Sequence, residues 1–295
     1  MAWFCSDNLQ FNYATRGSGP KTFLFQHGIG GTLAQPLRFL QRIDEQGSGV
    51  DKPGACLVQQ LRLAAFDFRA HGQTPLGDRQ KLRLDIFADD LIAFMDHLQV
   101  KSAVLGGISM GAAVALNAVV RYPERCVALV LVRPAWLNGS MCATAVAAYR
   151  EAVKYLAEEV SPEFALRKLE RSDIYRAVVQ QSADAGKSLL GQVRCVVSDP
   201  SLREVALARL SHLPGGQPSI DLPKLAALSV PTLVLATPND PIHPLSYAQS
   251  LAATIPAALY VELAPKRLDD APHIHEVNTQ LVSFLERIRV LERLV

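Results

Sequence analysis

Apolar residues along the chain fall into two rhythms. Short runs recur in which nearly every position is apolar: TFLFQ (22–26), LAAFD (63–67), SAVLGG (102–107), VALVLV (127–132), TLVLA (232–236) and LYVEL (259–263). Runs of five or six residues that are apolar on both faces are what strands buried inside a parallel sheet require. Between them the period changes. In LDIFADDLIAFMDHL (84–98), Ile86, Phe87, Leu91, Phe94 and Leu98 recur at helical spacing, and the second half of GGISMGAAVALNAVVRYPER reads as a helix closed by Tyr122-Pro123. Strands alternating with helices predict an α/β fold, with a mostly parallel central sheet flanked by helices.

The alternation stops between about residues 138 and 225. ATAVAAYREAVKYLAEEV (143–160) is strongly helical, 162–180 and 200–213 follow the same period, and LPGGQP (213–218) marks a loop. The pattern predicts a core of residues 1–137 and 223–295 interrupted by a helical insertion at 138–222.

Composition narrows the classes. The chain has 295 residues, of which 49% are hydrophobic, and a formal charge of +2. That is ample material for a core, and it is neither a disordered composition nor a basic footprint for nucleic acid. RQKLR (79–83) reads as solvated surface. The five cysteines, Cys5, Cys56, Cys126, Cys142 and Cys195, show no C-x-x-C pair and no zinc-ligand spacing, so reduced thiols, a cytoplasmic setting and no metal are expected. The N-terminus, MAWFCSDNLQFNY, lacks the basic region and apolar run of a signal peptide. Residues 102–120 are uncharged over nearly the length of a membrane span, but glycine, alanine, Ser109 and Asn117 favour a strand, a turn and a buried helix, so no membrane insertion is expected.

Chemistry in parallel sheets gathers beyond the carboxyl ends of the strands. There the chain places HGIGG (27–31), DFRAHGQT (67–74), GISMG (107–111) and NDPIHP (239–244). G-x-S-x-G is weak by itself, and Ser109 alone reads equally well as a small residue in a packed turn. Its setting between a buried strand and an alanine-rich helix is what the motif requires: small neighbours at minus two and plus two, Gly107 and Gly111, relieve the crowding of a strained turn, and the helix N-terminus offers N–H groups to an anion.

These four motifs, in this order, resemble the α/β-hydrolase fold superfamily in its serine-nucleophile branch. The resemblance covers about 1–137 and 223–295, and the insertion stands where that family carries its variable helical cap. DFRAHGQT departs mildly, with Ala70 where glycine is usual. The resemblance implies Ser109 as nucleophile, Asp240 as the acid that orients the base, and an oxyanion hole from the backbone N–H groups of Ile29 and Met110. His27, Gly28 and Trp136 are the pocket candidates, Trp136 reading equally as a hinge-packing aromatic.

The base is harder to place. His27 and His71 sit in glycine loops that, in the family, build the site without acting as base. His97 lies in a helix and His212 in the insertion. His243 is only three residues past Asp240 in a turn stiffened by Pro244. That leaves His273 and His275 after the last strand, although the family usually places its base nearer Leu268. Helical spacing favours His273, which lines up with Val277, Leu281 and Leu285, while the alternative, His275, lines up with Thr279 and Ser283. A site that neither reaches would be close to inert.

The resemblance therefore implies an acyl-enzyme hydrolase of an ester, thioester, lactone or amide, without cofactor; the apolar helical faces of the insertion (Val146, Tyr149, Val153, Leu156) lead us to expect a small, mostly apolar substrate. Acyl transfer from the same intermediate, and ligand binding without turnover, remain the alternatives. Nothing in the chain specifies an oligomeric state.

Overall fold

The computed structural model describes residues 2–39, 61–218 and 220–292. An antiparallel hairpin, β1 (Ala2–Ser6) and β2 (Leu9–Arg16), opens the chain. Its two-residue loop, Asp7-Asn8, has φ of 52° and 58°, the positive pair that a tight turn matching strand twist demands. Then come β3 (Lys21–Gln26), β4 (Leu61–Phe66), α1 (Leu84–His97), β5 (Ala103–Ile108), α2 (Met110–Arg121) and β6 (Cys126–Val132). Five helices follow in the insertion: α3 (Ala143–Glu158), α4 (Pro162–Arg171), α5 (Asp173–Gln181), α6 (Ala183–Ser198) and α7 (Arg203–His212). The short α8 (Leu222–Ala226), β7 (Thr232–Ala236), α9 (Leu245–Thr254), β8 (Ala258–Glu262) and α10 (Ala271–Glu292) complete the core.

The eight strands form one sheet in the order β1-β2-β4-β3-β5-β6-β7-β8, antiparallel through β2–β4 and parallel beyond. Every residue of β5 and β7 is buried, as an apolar run covered on both faces should be. One sheet face packs under α1, α2 and the insertion. The other meets α10, whose Val277, Leu281 and Leu285 cover Phe23, Phe25 and Val130. Each such fully buried aliphatic side chain contributes about 1.5–3 kcal/mol relative to exposure.

All six predicted strands are present, with ends displaced by no more than two residues. The hairpin β1–β2 is additional: its strands are covered on one side only, and their alternating pattern does not register as an apolar run. In the insertion, 162–180 divides at Ser172, which caps α5, and α6 is a helix that the periodicity does not predict. Residues 102–120 resolve into β5, a turn and α2, and among the described residues no helix is long and apolar enough to cross a membrane. Cys5, Cys126, Cys142 and Cys195 are free thiols; Cys56 lies outside the described residues.

Candidate active site

The turn from β5 into α2 carries Ser109 in a backbone conformation that side chains avoid, φ 55° and ψ −108°. Such strain costs about 1–3 kcal/mol and needs surroundings that enforce it. Here they do. Ser109 N–H donates to Val132 O at 2.9 Å, tying the corner to β6. A Cβ on Gly107 would come within 2.4 Å of the Gly111 backbone, and one on Gly111 within 2.4 Å of the Gln26 carbonyl oxygen, so strand and helix approach too closely there for any side chain. Ser109 is left 9% exposed at the corner.

The loop after β7 supplies its partners. Asp240 Oδ1 accepts from the N–H groups of Ile242 (3.0 Å) and His243 (3.2 Å), an Asx turn that throws both side chains to one side. The His243 ring then reaches both ways: Nδ1 stands 2.9 Å from Asp240 Oδ2, and Nε2 stands 2.9 Å from Ser109 Oγ. Arg133 Nη2, which only donates, also faces Nδ1 at 3.3 Å, but the nearer partner is the carboxylate, which only accepts, so we assign the proton to Nδ1 and leave Nε2 free to accept from the serine.

Electrostatics favour that state. Burial lowers the His243 pKa most. Asp240 pulls it back up and Arg133 pushes it down again, and the net effect is a ring held below its ordinary range, neutral at pH 7. Burial works against the Asp240 carboxylate, but His243 and Arg133 hold it well below the usual carboxylate range. Arg133, itself at φ 49°, reaches Asp240 Oδ2 through Nε at 3.2 Å and also through Nη2. The ion pairs continue outward: Arg133 lies 3.5 Å from Asp184 at the start of α6, and Lys266 Nζ bonds Asp184 at 2.7 Å.

Ser109, His243, Arg133 and Lys266 line a cavity of about 80 Å³, walled by Gly28 and Ile29 from the loop after β3 and by Tyr149 and Gln192 from the insertion. Among the described residues no carbonyl accepts the N–H of Ile29 or of Met110; Met110 begins α2, where the first N–H groups have no helical partner.

A family model described as the alpha/beta hydrolase fold matches residues 21–274. The chain belongs to the α/β-hydrolase fold family. Over 276 residues it is 28% identical to the dihydrolipoyllysine-residue acetyltransferase component of an acetoin cleaving system from Pseudomonas putida, covering 92% of this chain and 65% of that protein. It is 29% identical over 123 residues to 3-oxoadipate enol-lactonase 2 of Acinetobacter baylyi, covering 41% of this chain and 40% of that one. The chain thus spans less than two thirds of the length of either relative. Among solved structures it is similar to an enol-lactonase from Burkholderia xenovorans, with TM-score 0.68, 19% identity, 97% of this chain and 100% of that one covered. It is also similar to a meta-cleavage product hydrolase from Pseudomonas fluorescens, with TM-score 0.71, 17% identity, 97% and 98% covered.

Within this α/β-hydrolase fold, the expected residues divide. Ser109 and Asp240 are joined, but through His243. His273 is not the ring on Ser109. It sits on the buried face of α10, as its spacing with Val277, Leu281 and Leu285 predicts, and that face packs beneath the sheet, with Phe39 edge-on at 6.4 Å. Apolar periodicity identifies the layer that covers the sheet, and it puts His273 in the first turn of α10, near the Arg133–Asp184–Lys266 charges but without a bond to Ser109 or Asp240. His273 Nδ1 has no partner among the described residues, and burial, with Arg133 and Lys266 nearby, pushes the ring down to about 3. His275 is on the exposed face of α10.

His27 shapes the loop after β3: its Nδ1 donates to Gly28 O at 2.9 Å and its Nε2 accepts from Phe68 N–H at 3.1 Å. Trp136 is 1% exposed and donates to Gly216 O at 3.1 Å; it packs at the root of the insertion rather than on the cavity wall. The residue that sequence reasoning sets aside is His243. The signal for it is turn chemistry: Asp-Pro-x-His in an Asx turn brings positions i and i+3 together.

Proposed function

We propose that the protein is a serine hydrolase that cleaves an ester or related acyl bond through an acyl-enzyme. Ser109 is the nucleophile, His243 the base and Asp240 the orienting acid. The observation that carries this reading is the unbroken line Ser109 Oγ, His243 Nε2, His243 Nδ1, Asp240 Oδ2, with both hydrogen bonds at 2.9 Å. His243 takes the proton as Ser109 attacks the acyl carbon. The carbonyl oxygen, now an anion, meets the N–H groups of Ile29 and Met110. The imidazolium, steadied by Asp240, returns its proton to the leaving group. Water then repeats the sequence in reverse and frees Ser109.

The helices between β6 and β7 are read as a cap that closes over Ser109 and leaves room for a small acyl group. The wall is mixed, with Ile108, Leu189 and Ile242 against Gln35, Ser188 and the two cations. Two of the similar proteins are named as enol-lactonases, so small lactones are the first substrates to try, beside p-nitrophenyl acetate. Ser109→Ala should abolish turnover and labelling by a serine-reactive phosphonate while leaving the circular dichroism spectrum unchanged. Turnover that survives this change refutes the assignment.

A second reading, transfer of the acyl group to a thiol or alcohol, is favoured by the name of the acetyltransferase component matched over 92% of this chain. Product analysis with a competing thiol separates the two, since hydrolysis yields free acid whatever thiol is present.

A further inference from the structure

Behind the Ile29 loop lies a buried cation that differs from the other two buried arginines among the described residues. Arg69 is paired with Asp90 and Arg133 with Asp240. Arg209, on α7, is 6% exposed, and among the described residues it has no carboxylate within ion-pair distance and no acceptor for Nε. Its other nitrogens meet neutral oxygens, Nη1 donating to Ala70 O at 3.1 Å and Nη2 to Gln192 Oε1 at 3.3 Å, and the Cys195 thiol and Tyr149 hydroxyl are ionisable neighbours. Because a guanidinium only donates, this second bond fixes which way the Gln192 amide faces. Gln192 Nε2 is turned to the Ile29 carbonyl, to which it donates at 3.2 Å. The contact is close: at Gly30, with φ 71°, a Cβ would fall 2.3 Å from the Gln192 amide.

A buried charge with no counter-ion costs stability, and a stabilising design would pair it or replace it with an apolar residue. The reaction read above creates a negative charge on the oxygen that Ile29 N–H would hold, and the guanidinium is linked to that residue through the Gln192 amide and the Ile29 carbonyl. A fixed positive field in a water-poor site favours that charged state over the neutral ground state.

We propose that Gln192 and Arg209, both from the helical insertion, are positioning residues of the oxyanion hole: Gln192 holds the Ile29 loop in register, and Arg209 orients that amide and lends its unpaired charge to the anion. This rests on the serine-hydrolase reading above.

The test compares wild type, Gln192→Leu, Arg209→Gln and Arg209→Lys on p-nitrophenyl acetate, with phosphonate labelling rate and Tm measured in parallel. Gln192→Leu and Arg209→Gln are each expected to lower kcat about tenfold, with KM changed less than about twofold, because the lost interaction belongs to the transition state. The labelling rate should fall by the same factor. Arg209→Gln should melt no lower than wild type, and Arg209→Lys, which keeps the charge, should recover most of kcat. An unchanged kcat in Gln192→Leu, or a loss in Arg209→Gln that tracks a lowered Tm and is not rescued by lysine, overturns the proposal. If Arg209→Gln fails to fold, Gln192→Leu alone decides. A wild type that neither turns over the ester nor takes up phosphonate brings down the hydrolase reading and this proposal together. Labelling that depends on Ser109 but not on Gln192 or Arg209 brings down this one alone.

Discussion

The loops after β7 and β8 run side by side at the same end of the sheet, yet they are built on different principles. The first is short and held from within: Asn239 at φ 58°, the Asx turn of Asp240 and Pro244 at the start of α9 fix its path, and it presents Asp240 and His243 as one unit. The second, from Leu263 to Asp270, reaches the cavity through Lys266 alone among the described residues, and it is tied to distant partners, Lys266 to Asp184 and Asp270 to Arg38. Because Asp240 and His243 share one turn, their mutual geometry is local. It no longer depends on how a separate loop folds back, and the later loop is free of that constraint.

The sharpest way to break this comparison is to exchange the fates of the two buried histidines. His243→Ala should lower kcat/KM for p-nitrophenyl acetate by roughly 1,000-fold, the scale of a lost general base, while His273→Leu should change it less than about twofold. The reverse result would return the base to the β8 side. Asp240→Asn is next in size, with a loss of roughly 100-fold or more, because an amide in place of the carboxylate leaves the imidazolium unsupported and permits the wrong tautomer. Thermal melts of the same variant check that the loop persists.

A pH profile sharpens the comparison further. As the proposed base His243 must be neutral to accept a proton from Ser109, and its pKa is held down chiefly by burial and then by Arg133. The acid limb of kcat/KM should therefore lie below the ordinary histidine range near 6.5, with activity lost as pH falls through that depressed value. An acid limb above pH 6.5 would contradict the site as described.

The smallest effect concerns stability. His273 is lowered to about 3 and His27 to about 4, both chiefly by burial. Each binds a proton more readily when unfolded, so the stability it contributes is present above the unfolded pKa and is lost as pH falls, at about 1.4 kcal/mol per pH unit between 6.5 and the folded value. His273→Leu should flatten that fall by its own share in urea titrations at pH 4 to 6. An unchanged slope would mean that His273 is protonated in the folded protein.

The contrast also marks what the sequence reveals. The parallel strands are legible because full burial on both faces leaves unbroken apolar runs. The hairpin β1–β2 escapes, since its pattern is the alternation of a half-covered edge, and Asp7-Asn8 is its only strong local signal. Ser109 and Asp240 are legible from the strand-turn context of their motifs. His243 is hidden by a spacing argument that treats three intervening bonds as too few, when an Asx turn makes them enough. His273 shows the converse: its helical register is legible, but periodicity says which layer a residue packs in and not which chemistry it joins. Gln192 and Arg209 belong to no motif at all, and only the packing of the insertion on the Ile29 loop brings them to the site.

The Asp240–His243 turn has a genetic consequence. Asp240 and His243 are encoded within four consecutive codons. A single short graft, deletion or recombination event therefore carries or removes them together, and lineage changes that lengthen, trim or re-route the chain downstream of β8 leave that inheritance untouched.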